Sequence, residues 1–262
     1  MASMEEVVRF LSRIPYPVWE DFVRNEPEWR FTEPVLECYG PSRFFTFMVM
    51  AGLNDYQLKG PAEEKYWPPL VEHVIRRPTP ESPEDLKEVL KGFYEKERFR
   101  TVKTRRLERF LQSPLAHRMW RMTPAGFSQS FRALWYKIAK TMGQPKERKT
   151  IVFSMKCLGI GLLMLGLREF DFTGIPVPVD VRVRSLLKRW GLIAERAPEQ
   201  EIQSLCEEML QGIKRAEPAV NMIHLDSFLW QVEAFYKTDA IKSLMDMGME
   251  ADLAGAIADL GR

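Results

Sequence analysis

Met142-Gly-Gln-Pro-Lys-Glu-Arg-Lys-Thr-Ile-Val-Phe153 reads as a turn that opens a long helix. Beyond it, the apolar run Cys157 to Leu167 is 11 residues long and is preceded by Lys156. That is well short of the roughly 20 residues a membrane span needs, so the run reads as a buried core helix. Working outward, apolar spacing is helical almost throughout, with no sustained period-two stretch, and the predicted class is all-α. Ser82-Pro-Glu-Asp85 is a capping box with proline at the first helical position, and Thr123-Pro124 repeats the cap-then-proline pattern. Asp180 stands just before a helical pattern, Val181 to Leu192, that stops at Gly191 or shortly after. Prolines divide the early chain into short pieces, giving an expectation of about ten or eleven helices in all.

A chain of 262 residues allows one large domain or two small lobes sharing a cleft. A two-lobed unit is expected: a central lobe of about residues 85–185, and a second lobe of 1–84 with 186–262. Hydrophobic residues at 45% and charged residues at 28% exclude collagenous, coiled-coil and wholly disordered chains. Cys38, Cys157 and Cys206 are too few and too scattered for a disulfide framework and suit a reducing cytoplasm. The start lacks the basic and apolar regions of a signal peptide, so no membrane association is expected. Net charge is only +2 but uneven: Lys91 to Arg189 holds 22 Lys and Arg against 7 Asp and Glu, leaving 16 against 29 elsewhere. Such a basic stretch suits a polyanion.

Three places could carry chemistry. Lys149 lies in the first turn of the helix opened above, where free backbone N–H groups and the positive dipole end attract phosphate and disfavour a protonated amine. Alone, it reads first as a solvated surface lysine. Lys156, seven residues on, is about 20° away on the same face, so spacing does not choose between them. Phe153 shares the face and could equally be core. Next, Gly174-Ile-Pro-Val-Pro-Val-Asp180 is a rigid loop delivering a carboxylate to a helix start. Asp180 can cap that helix and still do chemistry, because the cap fixes its direction. Arg182, Arg184, Lys188 and Arg189 put positive charge beside the loop. Last, His224-Leu-Asp-Ser-Phe-Leu-Trp230 places Asp226 and Trp230 on one helical face, where they could hold a base or serve as cap and core. His73, His117 and His224 have no metal-ligand spacing, and no phosphate loop or dinucleotide fingerprint occurs, so no metal or cofactor is expected.

These blocks, in this order, closely resemble the archaeal 8-oxoguanine DNA glycosylases called AGOG, a branch of the helix-hairpin-helix superfamily marked by a Gly/Pro-rich loop ending in aspartate. The likeness runs from about Leu53 onward, since Tyr56-Gln-Leu-Lys-Gly60 followed by Trp67 also looks like the family's pattern. The resemblance implies a two-lobed helical glycosylase fold around a base-binding cleft. Its helix-hairpin-helix would span Thr123 to about Leu167, with Met142 to Arg148 as the turn. It implies Lys149 as Schiff-base nucleophile, Asp180 as catalytic carboxylate and Lys156 as support. Trp67, Phe153, Pro178, Asp226 and Trp230 would line the pocket for the flipped base. Lys146, Arg148, Arg182 and Arg184 are the expected DNA contacts. The turn lacks the Gly-x-Gly of most superfamily members, as this branch does. Where the family tends to offer a glutamine, this chain has Glu28, and an ionised glutamate can only accept hydrogen bonds.

The implied chemistry is coherent. A base in duplex DNA must be extruded, and an aromatic pocket compensates for lost stacking. 8-Oxoguanine carries a hydrogen on N7 that guanine lacks. An acceptor aimed there, Asp226 or the carbonyl beside Pro178, discriminates by roughly 1 to 3 kcal/mol. The partner implied is DNA containing 8-oxoguanine, met by a monomer in an archaeal cytoplasm. Two other classes remain: a non-catalytic helical DNA-binding protein, and a helical protein-interaction scaffold.

Overall fold

The computed structural model describes residues 2–261, and among them it contains seventeen helices and no strand. The all-α expectation holds. The helix count exceeds the ten or eleven expected, for a reason visible in the prolines: Pro27, Pro41, Pro83, Pro114 and Pro124 are each the first residue of a helix. The missing N–H costs nothing there, so the proline that closes one segment opens the next. Among the described residues no helix is long and apolar enough to cross a membrane.

The chain forms two compact units, Met1–Glu26 with Pro176–Arg262, and Pro27–Ile175. The boundaries differ from the expected 85 and 185, which fall inside helices that each belong whole to one unit. The first, or terminal, unit holds α1 (Met4–Leu11), α2 (Tyr16–Arg24), α13 (Val181–Arg189), α14 (Glu199–Lys214), α15 (Met222–Phe235), α16 (Ala240–Asp246) and α17 (Ala251–Asp259). The second, or insert, unit holds α3 (Pro27–Arg30), α4 (Glu33–Tyr39), α5 (Pro41–Asn54), α6 (Ala62–Lys65), α7 (Trp67–Ile75), α8 (Pro83–Tyr94), α9 (Arg100–Leu111), α10 (Pro114–Trp120), α11 (Pro124–Met142) and α12 (Lys149–Met164).

The insert unit is built on α5 against α12. Phe44 to Asn54 and, except for Phe153, Ile151 to Leu163 are buried without a break. Helices apolar on every side belong in a core. Gly52 permits the close approach: a Cβ there would stand 2.9 Å from Ser154 Cα and 2.8 Å from Cys157 Sγ. Beside this pair, Lys103 of α9 is fully buried, with Nζ 5.4, 5.7 and 6.0 Å from the rings of Tyr56, Tyr66 and Tyr94 and no hydrogen-bond acceptor among the described residues. Burial pulls its pKa below the usual lysine value, against the opposing charges of Glu97 and Asp55.

In the terminal unit α15 packs on α2 and α13. Trp19 and Phe22 meet Phe228 at ring distances of 5.2 and 5.0 Å. Gln231 accepts from Asn25 Nδ2 at 2.8 Å and donates to the Phe22 carbonyl at 2.7 Å, tying the C-terminal end of α2 to α15. The local caps form as expected. Ser82 and Asp85 complete a capping box, Thr123 caps α11, and Asp180 caps α13.

Candidate active site

In the insert unit, α11 ends at Gly143, whose φ of +61° is the left-handed conformation that closes a helix at low cost in glycine. Six residues later Lys149 opens α12, and no side chain caps that helix at Arg148. The turn is therefore held from outside its own backbone. Arg106 of α9 donates from Nη2 to the Leu53 carbonyl at 2.8 Å and to Thr150 Oγ1 at 2.9 Å, and from Nη1 to Gln144 Oε1 at 3.2 Å. Arg109 donates to the Met142 carbonyl at 2.8 Å, and the Trp135 indole N–H to the Lys146 carbonyl at 2.7 Å. Lys149, next to Thr150 in this clasp, is half-buried, and its amine makes no hydrogen bond or ion pair among the described residues.

Along α12, Phe153 is half-buried one turn after Lys149, and Lys156 is buried with Nζ 5.8 Å from the Phe153 ring. Lys149, Phe153 and Lys156 thus share one helical face, as their spacing required. Lys146 is committed elsewhere. It pairs with Glu147, holding that carboxyl below the usual range, and stacks 4.4 Å from the Trp135 ring. Arg148 is exposed. Trp67 is fully buried, its indole N–H donating to Asp55 Oδ2 at 3.1 Å and its ring edge-on to Tyr66 at 5.3 Å. Glu28, on α3, is buried too.

In the terminal unit, Asp180 Oδ1 accepts the backbone N–H groups of Arg182 and Val183, both at 2.9 Å. Oδ2 accepts no hydrogen bond among the described residues, so one carboxylate oxygen caps the helix and the other stays uncommitted. Pro178 is buried in the loop before it. On α15, Asp226 is buried and Trp230 half-buried. Asp226 lies near Cys206, whose thiol is kept protonated first by burial and then by that carboxylate's charge.

The expected phosphate contacts of α13 are occupied inside this unit. The Arg182 guanidinium sits 3.9 Å from the centre of the Trp230 ring. Arg184 Nη1 donates to the Ala197 carbonyl at 2.5 Å, fixing the loop after the helix. Lys188 pairs with Glu195, and Arg189 with Glu233.

The insert unit thus presents Lys149 at the start of α12 after a short turn, and the terminal unit presents Asp180 at the end of a proline-rich loop. A family model described as AGOG, N-glycosylase/DNA lyase, matches residues 8–255. The chain belongs to this family. Two N-glycosylase/DNA lyases are similar in sequence. That of Thermococcus kodakarensis is 26% identical over 198 residues, 72% of this chain and 67% of the relative. That of Methanopyrus kandleri is 24% identical over 215 residues, 81% of each. In fold, the chain is similar to Pa-AGOG, the 8-oxoguanine DNA glycosylase of Pyrobaculum aerophilum, solved in complex with 8-oxoguanosine. The TM-score is 0.73 at 19% identity, covering 97% of this chain and 95% of that one.

For this AGOG chain, one important residue escaped the reading of its sequence. Arg106 had no motif to mark it, because its partners stand 38, 44 and 53 residues away. The turn it holds has a single glycine, Gly143, and nothing local in the sequence pointed to an arginine 38 residues before Gln144.

Proposed function

We infer that this chain excises 8-oxoguanine from DNA and then cleaves the strand at the abasic site, acting as a monomer in an archaeal cytoplasm. Family membership supports the paired glycosylase and lyase activities. The observation that carries the residue assignment is Lys149. Its amine opens α12 without a hydrogen bond or ion pair among the described residues, on a turn immobilised through Thr150.

The neutral amine attacks C1′ of the extruded nucleotide as the N-glycosidic bond breaks and the base departs with a proton. Loss of a further proton from nitrogen then opens the sugar ring: the C1′–O4′ bond breaks, O4′ takes a proton and the imine is left. Removal of a C2′ proton then forms the C2′–C3′ double bond and breaks the bond from C3′ to its phosphate oxygen. In the terminal unit, Asp180 keeps Oδ1 on its own helix and has Oδ2 left to offset positive charge on the sugar. The resemblance assigns the base to Trp67 and Phe153 of the insert unit and to Pro178, Asp226 and Trp230 of the terminal unit, with Phe153 and Trp230 as stacking faces. Arg182 already covers one face of Trp230. A stacked base therefore uses the other face or displaces the guanidinium. Arg148 is the exposed expected DNA contact beside the nucleophile.

Borohydride tests this. It should trap the protein covalently on a duplex bearing one 8-oxoguanine. Lys149→Gln should abolish the trap, and Lys156→Gln should leave it at least partly intact, with circular dichroism verifying that each variant folds. Binding without trap or cleavage in the parent would select a non-catalytic DNA-binding protein. Loss with Lys156→Gln alone would move the nucleophile while keeping the enzyme class.

A further inference from the structure

Most cations around the proposed chemistry are already committed: Lys146 to Glu147, Arg182 to Trp230, Arg184 to Ala197, Lys188 to Glu195 and Arg189 to Glu233. Arg118, Lys137 and Lys140 differ. All three are exposed, and none makes a hydrogen bond or ion pair among the described residues. They line one concave depression of about 600 Å³ in the insert unit, with Arg109, Leu115 and Thr141 also in its wall. Among the described residues, none that lines it is acidic. Lys137, Lys140 and Thr141 are spaced to share one face of α11, and Arg118 comes from α10. Arg109 joins the depression to the hairpin, since it donates to the Met142 carbonyl and would stand 3.2 Å from a Cβ on Gly143.

Two other depressions in the same unit show the contrast. One sets Arg100 and Arg105 beside Glu95 and Glu108, and the other sets Arg76 beside Glu72, with which it pairs. In those, positive charge is answered by the protein itself. Four cations gathered in a concavity without a carboxylate repel one another and focus a positive potential outward, which an anion relieves. The wall also offers Leu115, an apolar contact of the size a sugar ring covers. We propose that this depression is a phosphate-binding groove that takes the DNA backbone next to the hairpin, with Arg118, Lys137 and Lys140 as its contacts. The proposal rests on the reading of the chain as a DNA enzyme and adds a contact surface separate from the expected ones.

The test is the salt dependence of binding to an undamaged duplex. Each phosphate contact contributes about 0.9 to the slope of log affinity against log salt. The R118Q/K137Q/K140Q variant should therefore lower the slope by about 2.7 relative to the parent. R100Q/R105Q, which removes the same kind of charge from a depression that holds acids, should leave it unchanged. A parental slope in a folded triple variant overturns the proposal. So does a triple variant that loses thermal stability at parental slope, because the cations would then serve only the C-terminal ends of α10 and α11. Should the triple variant not fold, K137Q/K140Q should lower the slope by about 1.8, and an unchanged slope there overturns it equally. Because the duplex is undamaged, a parent that binds but does not excise defeats the proposed function alone. A parent that binds no duplex defeats both.

Discussion

Asp180 does two jobs with two oxygens, and two substitutions should separate them. Asp180→Asn keeps an acceptor where Oδ1 receives two backbone N–H groups at 2.9 Å. It loses only the favourable interaction of a negative charge with the α13 dipole, about 0.3–1 kcal/mol. Asp180→Ala removes the acceptor as well, at about 0.5–2 kcal/mol. For a protein of this size 1 kcal/mol shifts Tm by roughly 2–4 °C, so Asn should lower Tm by about 1–4 °C and Ala by up to about 8 °C. Excision should follow a different order. If Oδ2 stabilises charge in the transition state, losing it costs about 2.7–4 kcal/mol, on the order of a hundred- to a thousandfold, in both variants alike. Single-turnover excision of 8-oxoguanine at saturating protein, beside calorimetric Tm, reads both quantities. Should Asp180→Asn stay within about tenfold of the parent while Asp180→Ala drops with its stability, the carboxylate is a helix cap and nothing more.

Trp230→Ala should slow 8-oxoguanine excision about 5- to 150-fold, the worth of 1–3 kcal/mol of base stacking, yet largely keep cleavage of a preformed abasic site. Equal losses on both substrates in a folded variant would deny the indole a role at the base. Arg184→Glu should destabilise the protein by about 1.5–3 kcal/mol in urea, because its guanidinium holds the Ala197 carbonyl. A change under about 0.5 kcal/mol would mark Arg184 as an ordinary surface charge. Lys103 should make stability pH-dependent. Its folded pKa lies below the unfolded one, so the unfolded chain binds more protons and stability rises with pH toward 10.5. Between about pH 7 and 9.5, below the range where the buried tyrosines act oppositely, Lys103→Met should flatten that rise; an unchanged slope would show that the caged amine is not its source.

What the sequence made legible was local. Ser82, Thr123 and Asp180 declared themselves as caps because a cap and its amide partners stand two or three residues apart. The all-helical class followed from periodicity for the same reason. The partners of cations were not legible. Arg184 reaches a carbonyl 13 residues on, and Arg182 lies over an indole 48 positions away, partners within their own unit that no local pattern announces. Trp67 was recognised by resemblance, but its burial against Asp55 and Tyr66 depends on how α7 docks. The expected layout also had one lobe drawing on both ends of the chain, but not the handovers at Glu26 and Ile175, which depend on which helices pack together.

That last arrangement bears on how the chain is made. The insert unit is contiguous and can complete its core while the C-terminal third is still being synthesised. The terminal unit must wait, because Asn25 and Phe22 find Gln231 only after about 200 further residues have been added. At roughly 5–20 residues per second, the apolar faces of α1 and α2 stay without α14 and α15 for about ten seconds or more. Val7, Leu11, Trp19 and Phe22, all fully buried once folding ends, are uncovered during that interval. The nascent N-terminus is therefore where a holdase would bind, and where a slower ribosome would most reduce the yield of folded enzyme.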